Sequence, residues 1–80
     1  IDAMRETTLN VLAKINPELT MHDFRVVEGE RRINLIFDVV VPFGYTDEQK
    51  EEIRARIHTG LKARDKRYCP VVTLEHKMTL

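Results

Sequence analysis

Cysteine is almost absent from this sequence: Cys69 is the only one in 80 residues. No internal disulfide can form, and a zinc finger or a CxxC redox pair is excluded. Neither sign of charge prevails. Thirteen Lys and Arg side chains balance thirteen Asp and Glu, so no global field gathers nucleic acid or an anionic surface. No apolar run approaches the ~20 residues that span a bilayer, and no stretch has the layout of a signal peptide. Glycine is sparse as well, and the chain has neither a Gly-rich phosphate loop nor a Ser-His-Asp arrangement with a nucleophile turn. Cys69 precedes Pro70 at a strand entrance and reads as an inert, buried thiol rather than a nucleophile. These absences point away from catalysis.

What is present is a single small domain, residues 1–80, near the lower limit at which a chain buries a self-sufficient core. Domains of this size borrow stability from a disulfide, a metal or a partner subunit. With the disulfide excluded, a partner subunit or a metal held by oxygen and histidine remains. The chain opens at Ile1 already inside a helical pattern. That is the expectation for a domain cut from a longer protein, whose remainder would hold any membrane segment.

The apolar pattern predicts a helix over residues 2–15, with Met4, Thr8, Val11, Leu12 and Ile15 on one side, Asp2 as N-cap and Asn16-Pro17 as the stop. Thr20 to Glu28 alternates as a strand. Gly29-Glu30 reads as a tight turn with a positive φ at the glycine. Arg31 to Val41 is a second strand, with Ile33, Leu35, Phe37, Val39 and Val41 on one face and Asn34, Ile36, Asp38 and Val40 on the other. Pro42-Phe43-Gly44-Tyr45 breaks it. Thr46-Asp47-Glu48-Gln49 is a capping box that opens a second helix, running to about Lys62, with Ile53, Ile57 and Leu61 on a stripe and a Glu52–Arg56 pair. Gly60 weakens that helix or lets it pack closely. The basic run Lys62-Ala63-Arg64-Asp65-Lys66-Arg67 reads as a solvated helix end, where cations suit the dipole. Val71 to Met78 is the last strand.

Helix, strand, strand, helix, strand predicts an α+β sandwich with two helices on one face of a three-stranded sheet. The other face would show Ile36, Asp38, Val40, Val71, Thr73 and Glu75, half apolar and uncovered. It lacks the basic and aromatic character an RNA-binding sheet needs. An uncovered, partly apolar face implies contact with another chain. Polar candidates are His22 at the opening of the first strand, Asp38 and Glu75 on the uncovered face, and Glu51 on the outward side of the second helix. Charged side chains on solvated faces are the rule, and spacing alone does not single these four out. His58 reads as a helix-surface residue and His76 as a satisfied structural histidine.

Three segments carry a resemblance. Met21-His22-Asp23-Phe24-Arg25-Val26 is similar to the V-H-D-L-R-V opening of the cytosolic C-terminal domain of cation diffusion facilitator transporters. Phe37-Asp38-Val39-Val40-Val41-Pro42 resembles that family's second strand, commonly x-H-L-x-V-P, and Val72-Thr73-Leu74-Glu75-His76-Lys77 resembles its closing V-T-I-H-V-E. The resemblance implies a metallochaperone-like, ferredoxin-like αββαβ fold and a non-catalytic homodimer on the cytoplasmic side of the cell membrane. It also implies a transmembrane domain in the same chain and no nucleic-acid partner. Zinc or manganese binding across the dimer would promote transport. The family's first-strand histidine is kept as His22. Its second-strand, helix and last-strand histidines fall at Asp38, Glu51 and Glu75, and its final acidic position at Lys77. Zinc favours nitrogen and sulfur, so His22 with three carboxylates suits manganese or iron(II) better. Without a transporter, the same pattern reads as a stand-alone αβ module binding a small molecule.

Overall fold

The computed structural model describes residues 2–76, in the order α1 (Asp2–Ile15), β1 (Thr20–Glu28), β2 (Ile33–Val41), α2 (Asp47–Arg64) and β3 (Tyr68–His76). Lys77 and Met78, read above as the end of the last strand, lie outside the described residues. The strands form one sheet in the order β1-β2-β3, with β1–β2 antiparallel and β2–β3 parallel.

Both helices cover the same sheet face, because every apolar stripe points there. Alternate residues of β2 from Ile33 to Val41 are buried, and Val11, Leu12, Ile53, Ile57 and Leu61 close over them. Thr8 is wholly buried within this layer, and its hydroxyl donates to the Met4 carbonyl at 2.8 Å, so no polar group is stranded. The helices run antiparallel: Val11 packs on Gly60, while Asn16 donates its side-chain amide to the Tyr45 hydroxyl at 2.7 Å, just before α2 begins. A Cβ on Gly60 would lie 2.7 Å from Val11 Cγ1, so the glycine serves close helix packing.

The capping box at Thr46 forms as read, with Thr46 Oγ1 accepting from the Gln49 amide at 3.1 Å and Gln49 Oε1 accepting from the Thr46 amide at 2.8 Å. The Glu52–Arg56 pair closes at 3.1 Å. Other sequence readings need correction. Asp2 is the first helical residue rather than the cap, and its carboxylate sits in the first turn where the dipole favours it. The turn expected at Gly29-Glu30 spans residues 29–32, closed by the Gly29 amide donating to the Arg32 carbonyl at 2.8 Å, and β2 begins at Ile33. Gly29 does not take a positive φ; among the described residues that conformation belongs to Gly44 (95°) and Asp23 (55°). The second helix runs on to Arg64, past Lys62.

The last strand starts at Tyr68, ahead of its expected start at Val71, so Pro70 lies within it. The edge position explains the tolerance. The carbonyls of Tyr68 and Val72 face away from β2, accepting from Lys62 Nζ (2.8 Å) and from the Arg54 guanidinium of α2. Pro70, between them, turns its backbone the same way, so its missing amide removes no ladder bond. Two cations of α2 thereby cover the open edge of β3, a recognised protection against edge-to-edge pairing.

Candidate functional site

The candidate residues gather on the open face of the sheet, and strand register places them. His22 of β1 lies directly across from Asp38 of β2, which in turn pairs with Thr73 of β3. One row along, Thr20, Val40 and Glu75 are aligned. Asp38 and Glu75 are thus diagonal neighbours, both on the face that the helices leave bare. His22 and Glu75 are exposed and Asp38 is half-buried. The His22 ring Nε2 lies 3.5 Å from Thr20 Oγ1.

Glu51 stands apart. It belongs to the helix layer on the opposite side, and its carboxylate takes an ion pair from Arg54 at 3.2 Å, the same guanidinium that caps the Val72 carbonyl. Among the described residues, no group of three or more His, Cys, Asp or Glu side chains is placed to hold a metal ion. One chain therefore offers His22 and Asp38 as a pair, with Glu75 beside them and Glu51 elsewhere.

Three features come from the structure rather than the sequence. The first is a β-bulge in β1 between His22 and Arg25. Met21 and His22 pair in one register and Arg25 to Glu28 in the next, with Asp23 in the left-handed region at φ 55°. Asp tolerates that conformation better than most L-residues, through local hydrogen bonding by its short side chain. The extra residue lets Met21, Phe24 and Val26 all pack against the core, Phe24 meeting Phe37 with ring centroids 6.0 Å apart, while His22 and Arg25 both face outward. The signal was available: apolar residues 21, 24 and 26 break a strict period of two. The second is the exposed Asp23 carboxylate itself, one residue from His22. The third is a groove beside His22, lined by Glu18, Thr20, Val40, Val41 and Pro42.

The remaining polar residues have structural partners. His76 Nε2 bonds the Tyr45 carbonyl at 2.8 Å, tying the end of β3 to the loop before α2, in keeping with the structural role read for it. Cys69 is free and half-buried, with Lys62 Nζ at 3.9 Å from its sulfur. Asp65 accepts from Arg67 through its side chain (2.8 and 3.1 Å) and its amide (2.9 Å), and these bonds hold its carboxyl at about 2.

No helix among the described residues is long and apolar enough to cross a membrane. No protein-family model matches the sequence, and no curated protein matches it. Solved structures do. The chain is similar to the C-terminal domain of the MamB magnetosome protein of Desulfamplus magnetovallimortis BW-1, with a TM-score of 0.82 at 22% identity over 98% of each chain. It is similar to the metal-bound C-terminal domain of the CzcD transporter from Thermotoga maritima, at TM-score 0.76 and 17% identity, covering 94% of this chain and 86% of that one. A third likeness is to the cytosolic domain of a cation diffusion facilitator family protein, at TM-score 0.69 and 13% identity over 94% and 89% of the two chains. Two helices on a three-stranded mixed sheet, matched along nearly the whole of each chain, give this protein the fold of the cytosolic domains of cation diffusion facilitator transporters.

Proposed function

We propose that this chain is the non-catalytic, cytosolic C-terminal domain of a divalent-cation efflux transporter of the cation diffusion facilitator family, where it mediates homodimerisation and metal-dependent regulation of transport. The observation that carries the reading is a convergence. Within the described residues, the segments that resemble the family's strand motifs lie on β1, on β2 up to Val41 and on β3 up to His76, in a fold matched by those domains.

The bare sheet face fits the dimer. Ile36 and Val40 are half-buried there, Val71 is 52% exposed and Val27 54%, so the face presents apolar area between polar groups, as association surfaces do. The metal response would use His22 and Asp38, with Glu75 adjacent. A single chain supplies too few of these ligands at one point, so bridging by a second copy completes the set and links metal binding to association. Glu51, held by Arg54 on the other layer, joins such a set only from another copy or after leaving its ion pair. One nitrogen with carboxylate oxygens suits Mn²⁺ or Fe²⁺ better than Zn²⁺.

Sedimentation velocity at micromolar protein, alone and with Zn²⁺ or Mn²⁺, tests the reading. The expected result is a dimer, or a monomer that dimerises on adding metal. A strict monomer indifferent to both ions would refute the dimerisation role. Association that persists unchanged in His22→Ala/Glu75→Ala would refute the metal response while leaving the dimer.

A further inference from the structure

On the solvent side of the helix layer, Val11, Ile15, Gly60 and Ala63 floor a furrow between α1 and α2, and Lys14, Arg56 and Arg64 form its rim. Gly60 makes the furrow, since without a Cβ it lets α2 settle against Val11. The antiparallel helices set Lys14 and Arg56 at about the same level along the seam, with Arg64 roughly 12 Å further along α2 at 1.5 Å per residue. All three cations are exposed, and no carboxylate lines the furrow. Arg56 pairs with Glu52 at the surface, whereas Lys14 and Arg64 have no ion pair among the described residues.

We propose that this furrow binds a free single-chain anionic amphiphile, a short carboxylate with an apolar tail. The chemistry of the lining selects that class. An inorganic anion would meet only exposed cations in water, where each contact is worth little, and would gain nothing from the apolar floor. A neutral apolar molecule would cover the floor and leave the rim unused. A ligand with both parts lays its tail on Val11, Ile15 and Ala63 and its head between Lys14 and Arg56. The space, about 260 Å³, suits a short chain rather than a folded peptide. The inference is independent of the transporter reading, because it involves the helix layer and none of the sheet-face residues.

Amide chemical shifts in the 80-residue chain, titrated with octanoate and separately with 1-octanol, test it. Octanoate is expected to shift the amides of Lys14, Ile15, Gly60 and Ala63, and to bind about three- to ten-fold more tightly than octanol, the sum of two or three exposed ion contacts. In Lys14→Gln/Arg56→Gln, whose far-UV circular dichroism should match the parent, that preference should fall to near parity, whereas Arg64→Gln alone should leave it. Three results would each overturn the proposal: shifts confined to the sheet face around Ile36 and Val71, no shifts at millimolar octanoate, or a preference for octanoate that survives the double substitution.

Discussion

Replacing Gly60 by alanine sets two effects of opposite sign against each other. In an exposed helix interior the change stabilises by roughly 1 kcal/mol, because alanine has less backbone freedom to lose and a better helix propensity. Here the added Cβ would stand 2.7 Å from Val11 Cγ1. Val11 is 4% exposed and β-branched, so its methyl cannot swing aside cheaply. Overpacking of this kind costs about 1–3 kcal/mol. The sum predicts a net loss of about 1 kcal/mol, or about 4–8 °C in Tm for a domain of this size. The partner change Val11→Ala should destabilise alone by leaving a small cavity. In that background Gly60→Ala should become stabilising by about 1 kcal/mol, since the clash is gone and only the propensity gain remains. Urea denaturation of the four proteins at one fixed concentration, which holds any association constant, gives the double-mutant cycle, with an expected coupling of about 2 kcal/mol. A Gly60→Ala single variant more stable than the parent, or a coupling near zero, would show that the helices separate freely and that Gly60 is not a packing residue.

Two further outcomes follow from local geometry. Asp23 holds φ 55° in the bulge of β1, so Asp23→Gly should be neutral or slightly stabilising, whereas Asp23→Val should lose about 1–2 kcal/mol in chemical denaturation, a β-branched residue being poorly suited to that region; equal stabilities would refute a left-handed Asp23. The Asp65 carboxyl is held at about 2, below its ordinary 3.8, chiefly by the side-chain hydrogen bond from Arg67. In that interval the unfolded chain binds the proton that the folded chain refuses, so stability rises with pH there. The contribution is fully present above about pH 4 and is lost as pH falls through about 2. Denaturation midpoints measured from pH 2 to 5 should therefore fall less steeply with acid in Asp65→Asn than in the parent, and identical slopes would refute the linkage.

Much of the fold is legible in the residues because its signals are local. A period near 3.6 in residues 2–15 and 47–64, a period of two in Ile33–Val41, and the Thr46/Gln49 box each depend on neighbours within one or two turns. The errors arose where a distant partner decides. The last strand begins at Tyr68 because Ile33 is there to pair with it and because Lys62 and Arg54 take its outward carbonyls. From the sequence alone, Pro70 looks like a strand breaker. The positive φ assigned to Gly29 belongs instead to Gly44 and Asp23, since the four-residue turn at 29–32 closes without it and the bulge needs it.

The candidate site divides along the same line. The family resemblance, rather than spacing, names His22, Asp38, Glu51 and Glu75 as candidates, and the alternation of β2 puts Asp38 on the uncovered face. That His22 stands opposite Asp38, that Glu75 lies diagonal to it, and that Glu51 sits on the other layer in an ion pair are consequences of strand order and register. These are set by packing between segments far apart in the chain. The near-absence of cysteine leaves oxygen and histidine as the main donors for any metal, and the balance of charge excludes a global field. The balance, however, is a sum over the whole chain. Only the tertiary structure brings Lys14, Arg56 and Arg64 around one apolar furrow, because two antiparallel helices meet at a glycine.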